Sequence, residues 1–363
     1  MHIIRLSLLL LILACLGLPT HAQEAISYQN RTVQSFFPQG ITAELEVTTP
    51  ARIVTATMYV TMDGSTIYSS PADIPIHRGG QLILLRSHWD GLSSSGDPCP
   101  PWANLQQWWV LIDETGNAIS TAPVKITYQD NRRAWQAANG SIVTVYTYNQ
   151  LPAFSTNAVR IGDEALVWLR QAYGYDLPFR PIFVFYNSRT DGAFDLGRAG
   201  WSPFDYHVGG VSYPGTNTVI ALAETDPAFI ERVIPHELAH LYQFQMGARL
   251  FDAPMWWIEG DARAQESSTS RTQVIANVKK WSAIQQLPYL PNWQPAPQTA
   301  AEIEYVMDVG ASFVLFLNET YGGHAAFYAL WRVNDDFYQT FAATYGESLP
   351  MLDLRWRAWL MRQ

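Results

Sequence analysis

Cysteine is almost absent from this chain: Cys15 and Cys99 are the only two in 363 residues. Cys15 falls in an N-terminal apolar run that reads as a cleaved segment, so Cys99 has no partner for an internal disulfide. A chain of this length can bury enough core without such staples. The same scarcity excludes a zinc site built on thiolates. Cys99 itself, in Gly96-Asp97-Pro98-Cys99-Pro100-Pro101, reads as a buried and inert thiol.

Basic charge is scarce too. Lys and Arg number 23 against 32 Asp and Glu, for a net charge of −9. Nucleic acids and anionic membranes need positive surface, so both are poor partners. Charged residues make up only 15% of the chain and hydrophobic ones 48%, which excludes a disordered polypeptide. The apolar run Leu8 to Leu18 is too short to span a membrane. Arg5 before it and Thr20-His21-Ala22 after it give the pattern of a signal peptide over residues 1–22, cleaved before Gln23. Ile12-Leu13-Ala14-Cys15 loosely resembles a lipobox and is the weaker, competing reading. Both point to a secreted, periplasmic or cell-envelope protein. No internal repeat, low-complexity tail, C-terminal anchor or propeptide stands out.

The length of 363 residues suggests two or three domains. Residues 23–135 read as β-rich. Ile41–Val47 and Ile53–Thr61 alternate apolar and polar residues at period two, while Gln81–Leu85 is a short continuous apolar run that suits a buried strand. Trp108–Ile112 and Val124–Tyr128 flank Glu114-Thr115-Gly116-Asn117, a hairpin turn composition. These features predict an all-β sandwich of immunoglobulin or fibronectin type. In Trp108-Trp109 one ring faces the core and one faces out. Asp130-Asn131-Arg132 marks a junction.

Residues 136–363 read as α+β with a mostly helical C-terminal half. Strands are expected at 142–148, 182–186 and 218–222, and a helix at about 154–173. Ile182–Tyr186 is uninterruptedly apolar, which suits a central strand. Gly209-Gly210-Val211-Ser212-Tyr213 reads either as an exposed edge strand or as a simple β-turn. Trp256-Trp257 reads as core.

The chemistry concentrates in His236-Glu237-Leu238-Ala239-His240, an H-E-x-x-H sequence on a helix expected to open near Pro235. Residues at i and i+4 share a helix face, so the two imidazoles can grip one metal ion. The bland alternative is a surface helix with two solvated histidines and a salt-bridged glutamate. The apolar flanks Val233-Ile234 and Leu238-Ala239 argue instead for a buried helix. A catalytic zinc needs a third protein ligand. Glu259, in Trp256-Trp257-Ile258-Glu259-Gly260, is well placed for it. It falls on the second turn of a helix expected to start at Asp252-Ala253-Pro254, with Asp252 as N-cap.

H-E-x-x-H, then 18 residues, then Glu in a Trp-x-x-Glu-Gly context resembles the gluzincin metallopeptidases, the clan of thermolysin and the aminopeptidase N-type enzymes. Within it, residues 140–363 look like the bacterial peptidase MA-like domain proteins. The resemblance implies one catalytic Zn²⁺, with His236, His240 and Glu259 as ligands and Glu237 as general base. It implies an oxyanion-stabilising Tyr or His further on, for which Tyr305 is the candidate and Tyr242, His207 and His324 are rivals. The pattern is broken at one point: thermolysin has an Asp four positions after the ligand Glu, and this chain has Arg263. Asp261 is nearby but faces another side of the helix, so the partners of the two imidazoles stay unassigned. The function implied is a secreted, monomeric zinc metallopeptidase acting on peptides or proteins. The alternatives are an exported cell-envelope binding protein with a silent peptidase fold, and a zinc hydrolase of non-peptide amides or esters.

Overall fold

A computed structural model of the chain describes residues 26–62, 67–92, 99–188, 209–213, 215–223, 226–266, 268–334 and 336–363. The expected signal peptide, Cys15 and His207 lie outside the described residues.

The N-terminal part is built from β1 (Ser27–Ser35), β2 (Ile41–Thr48), β3 (Ile53–Thr61), β4 (Ile67–Pro71), β5 (Leu82–Trp89), β6 (Asn104–Asp113), β7 (Ala118–Ser120) and β8 (Val124–Thr127). They form two antiparallel sheets, β1-β2-β5 and β4-β3-β6-β7, with β8 also paired to β6. The period-two patterns turn Ile41, Ala43, Leu45 and Val47 of β2 inward against Leu105, Trp109 and Leu111 of β6, giving the two sheets one core. This arrangement is compatible with the expected sandwich. Trp109 is fully buried, while Trp108 stacks on Tyr59 across the outer face, with centroids 5.5 Å apart. The Glu114–Asn117 turn leads into β7 rather than directly into β8. β5 departs from the expected buried run. Ile83, Leu85 and Trp89 point in, but Leu82 and Leu84 are 63% and 45% exposed. The strand is the edge of its sheet and one of its faces has no cover, which an apolar run alone does not reveal.

The second part opens with β9 (Gln136–Asn139), β10 (Thr144–Thr147), α1 (Pro152–Tyr173), β11 (Ile182–Tyr186), β12 (Gly210–Ser212) and β13 (Thr218–Leu222). These strands form one sheet in the order β12-β13-β11-β10-β9, with β10, β11 and β13 parallel and both edge strands antiparallel. The alternate residues of β11 explain its unbroken apolar sequence. Phe183 and Phe185 join the core beneath the helices, whereas Ile182, Val184 and Tyr186 join the core shared with the sandwich. The central sheet is covered on both faces. A clasp closes this seam: buried Asp130 accepts two bonds of 2.8 Å from the more exposed Arg132 and one of 2.9 Å from the Tyr186 hydroxyl.

The remaining half is helical: α2 (Pro227–Gln243), α3 (Met255–Ala264), α4 (Ser268–Ile284), α5 (Ala300–Tyr321), α6 (Ala325–Trp331), α7 (Phe337–Tyr345) and α8 (Leu349–Leu360). Trp256 and Trp257 are both fully buried in its core. α3 and α5 approach closely through Gly260 and Gly310, where a side chain on either would overlap the opposite backbone. Among the described residues, no helix is long and apolar enough to cross a membrane.

Candidate metal centre

The motif helix begins earlier than Pro235. Asp226 caps it, its carboxylate accepting the Ala228 N–H at 3.0 Å, and Pro227 takes the first turn. Pro235 lies inside α2, where it forfeits one helical bond. The buried stripe Ile230, Val233, Ile234, Leu238 and Leu241 carries the helix through it. α3 begins later than expected: its cap is Pro254, and Asp252 ends a short 3₁₀ stretch instead. Glu259 is still on the second turn of its helix.

These two helices bring His236, His240 and Glu259 together. Their ligand atoms lie within 4.8 Å of one another, and among the described residues this is the one such group that could hold a metal ion. His236 Nε2 is 3.2 Å from His240 Nε2, and Glu259 Oε2 is 3.5 Å and 3.7 Å from the two nitrogens. Zinc bonds of about 2.0–2.1 Å give a tetrahedral shell with edges of roughly 3.3–3.4 Å. The three atoms therefore fit three corners of that shell.

The electrostatics favour a cation at this point. Burial opposes a charge on His236, but the hydrogen bonds of Glu259 and Glu266, with the charges of Glu266 and Glu237, outweigh it and push its pKa up to about 10. Burial also opposes the charge on Glu259, yet the two imidazoles bring its pKa down to about 2. A cluster that holds a proton this firmly is built to surround positive charge.

Two partners of the imidazoles were not identified from the sequence. Glu266 Oε1 lies 3.2 Å from His236 Nδ1, and Gln243 Oε1 lies 2.8 Å from His240 Nδ1. Glu266 lies two residues past the end of α3, where the chain leaves the helix. Arg263 braces Glu266 at 3.1 Å and reaches Asp308 at 3.5 Å. Burial raises the Asp308 carboxyl to about 6, against the pull of Arg263.

Glu237 turns toward the sheet edge. Its Oε2 accepts the Ser212 hydroxyl at 2.7 Å. A side chain on Gly210 would come within 3 Å of Glu237 Oε1 and Cγ, so only glycine lets β12 lie this close. Residues 210–212 are thus an edge strand, antiparallel to β13, rather than a turn. A cavity of about 230 Å³ opens beside the cluster, lined by Gly209 and Gly210, by Glu237 and Glu259, and by Ile303 and Met307 of α5.

Tyr305, the expected oxyanion-stabilising residue, lies away from this cavity. It packs edge-on against Trp281 and Trp293, at 5.5 Å and 5.8 Å, and does not line this cavity. Ala300, Ile303, Glu304 and Met307 make up the α5 face toward the metal cluster, and residue 305 falls on the opposite side. Tyr242 is buried and stacked on Tyr173 at 4.8 Å, and lines a different cavity. His324 is buried 3.1 Å from Asp261. Cys99 is buried, and burial pushes its thiol pKa up, in keeping with an inert group.

No family model matches the chain, and no curated protein matches it. Among solved structures, an aminopeptidase N family protein from Idiomarina loihiensis is similar at 11% identity and a TM-score of 0.35, over 92% of this chain and 73% of that one. The ApaA protein from Bordetella pertussis is similar over 30% of this chain and 94% of that one, at 13% identity and a TM-score of 0.19. Likenesses this distant carry no argument about the site, whose reading rests on its own geometry.

Proposed function

We propose that the chain is an exported zinc-dependent metallopeptidase, in which His236, His240 and Glu259 hold the ion and Glu237 is the general base. The observation that supports this most is the triangle of two imidazole nitrogens and one carboxylate oxygen, with edges of 3.2 Å, 3.5 Å and 3.7 Å. Zinc bound there would supply Lewis acidity toward water and a substrate carbonyl. Glu237 takes the proton of the attacking water and returns it to the leaving amine. The Ser212 hydroxyl on Oε2 holds this carboxylate in place and leaves Oε1 as the proton acceptor. The edge strand β12 offers main-chain groups to an extended peptide, a mode of binding that needs little sequence preference.

The test is hydrolysis of casein or a peptide library by the purified protein and its Glu237→Gln variant. The variant keeps its zinc and loses about 10²–10⁴ in rate, the usual worth of a positioned base. A fully active Glu237→Gln protein rules the assignment out.

A further inference from the structure

Gln243 is fully buried at the end of α2. Its amide nitrogen lies 2.9 Å from the Ile258 carbonyl and 3.1 Å from Asp261 Oδ2. A carbonyl oxygen can only accept a hydrogen bond. Turning the amide over would set its oxygen against that carbonyl and against the carboxylate. The orientation is therefore fixed by the surrounding chemistry. Oε1 then faces His240 Nδ1 at 2.8 Å. An oxygen there, offering lone pairs only, requires a proton on Nδ1. The ring's free lone pair is left on Nε2, the atom that lies 3.2 Å from His236 Nε2 and 3.7 Å from Glu259 Oε2.

Asp261 is itself clamped. Tyr173 of α1 and Tyr328 of α6 donate to its Oδ2 at 2.7 Å and 2.6 Å. His324 Nε2 lies 3.1 Å from its Oδ1, and Gln265 donates there at 3.2 Å. With donors on both oxygens, the carboxylate cannot swing away from Gln243. Ile258 and Asp261 flank Glu259 in the sequence, so one turn of α3 carries the carboxylate ligand and both acceptors that orient the amide.

We propose that Gln243, clamped by the Ile258 carbonyl and Asp261, is a positioning residue that fixes His240 in its Nδ1–H tautomer and presents Nε2 to the metal. α3 thus acts on the site twice, directly through Glu259 and indirectly through His240. The inference rests on the zinc reading above.

The test is zinc affinity, measured by competition with a chromophoric chelator, for the purified wild type, Gln243→Leu and Gln243→Glu. Leucine keeps the volume and loses all three bonds. Glutamate, protonated on the oxygen that faces Asp261, keeps the bonds to His240 and Asp261 and gives up only the one to the Ile258 carbonyl. The expected result is zinc binding about 10–100-fold weaker for Gln243→Leu, with Gln243→Glu staying close to wild type. A packing role alone would lower the melting temperature of both variants without separating their zinc affinities. A second measurement needs no variant: ¹⁵N NMR of the zinc-loaded wild type should show His240 bound through Nε2, with a slowly exchanging Nδ1–H. Wild-type His240 bound through Nδ1, or a Gln243→Leu protein that binds zinc within about twofold of wild type, overturns the assignment. A wild type that takes up no zinc overturns the metal reading as well, and so is told apart from a failure of the Gln243 role alone.

Discussion

At the scale of single residues, the proposed centre is a set of acceptors arranged around two imidazoles. Glu259 faces their Nε2 atoms, while Glu266 and Gln243 hold the Nδ1 atoms. That His236 and His240 share one face was legible in the sequence, because i, i+4 spacing on a helix is a geometric constraint in itself. Glu266 and Gln243 were not, because a partner for Nδ1 can come from any backbone or side-chain acceptor that the fold brings near. The placement of Tyr305 was hidden for a related reason. Its position in the chain was suitable, but its helix face was set by the packing of Trp281 and Trp293. The charge pattern predicts how the chelator-stripped protein responds to pH. His236 rises from 6.5 to about 10, so the stability it contributes is present below about 6.5 and is lost as pH climbs through about 10. Glu259 falls from 4.5 to about 2, so its contribution is present above 4.5 and is lost as pH drops toward 2. Melting temperatures of the stripped protein should therefore decline on both sides of a plateau between about pH 4.5 and 6.5. Zinc must displace the His236 proton, so its affinity should rise about tenfold per pH unit through neutrality. Proton release measured by calorimetry in buffers of different ionisation enthalpy checks this, and an affinity flat between pH 6 and 8 would contradict it.

At the scale of elements, close approach sets the geometry. β12 can lie beside Glu237 because residue 210 is glycine, and α3 can lie against α5 because Gly260 meets Gly310. A methyl group on Gly310 would overlap the Trp256 carbonyl, so Gly310→Ala must push α3 and α5 apart. Glu259 rides on α3 and would move with it. We expect Gly310→Ala to lose roughly 1–3 kcal/mol of stability. It should also bind zinc more weakly than the wild type, as read by denaturant titration and chelator competition. Unchanged zinc affinity in a destabilised variant would show that α3 does not position Glu259. Strand β11 and helix α1 were legible in the sequence, since continuous apolar runs and helical periodicity survive their tertiary setting. The starts of α2 and α3 were not. Pro235 reads as an opening signal, yet buried Ile230, Val233 and Ile234 carry α2 through that position. Local propensity yielded to packing there.

At the scale of the molecule, the N-terminal sandwich closes the back of the sheet that carries the site. Ile182, Val184, Tyr186, Ile220 and Leu222 share its core, and the Asp130, Arg132 and Tyr186 clasp locks the seam. The sequence separated the two regions at residue 135, but nothing in its pattern said that they share a core, because β11 reads the same whether one cover or two is present. A fragment of residues 136–363 would expose that apolar face. It should be insoluble or aggregate when expressed alone, while the intact protein unfolds in one cooperative transition. A soluble, folded fragment would contradict the shared core. The central claim, a zinc ion held by His236, His240 and Glu259, is tested most directly by metal analysis of the purified protein beside Glu259→Ala. One zinc per chain is expected in the wild type, with loss of the ion in the variant. A wild type without stoichiometric zinc, or a Glu259→Ala protein that retains it, would rule out this metal site.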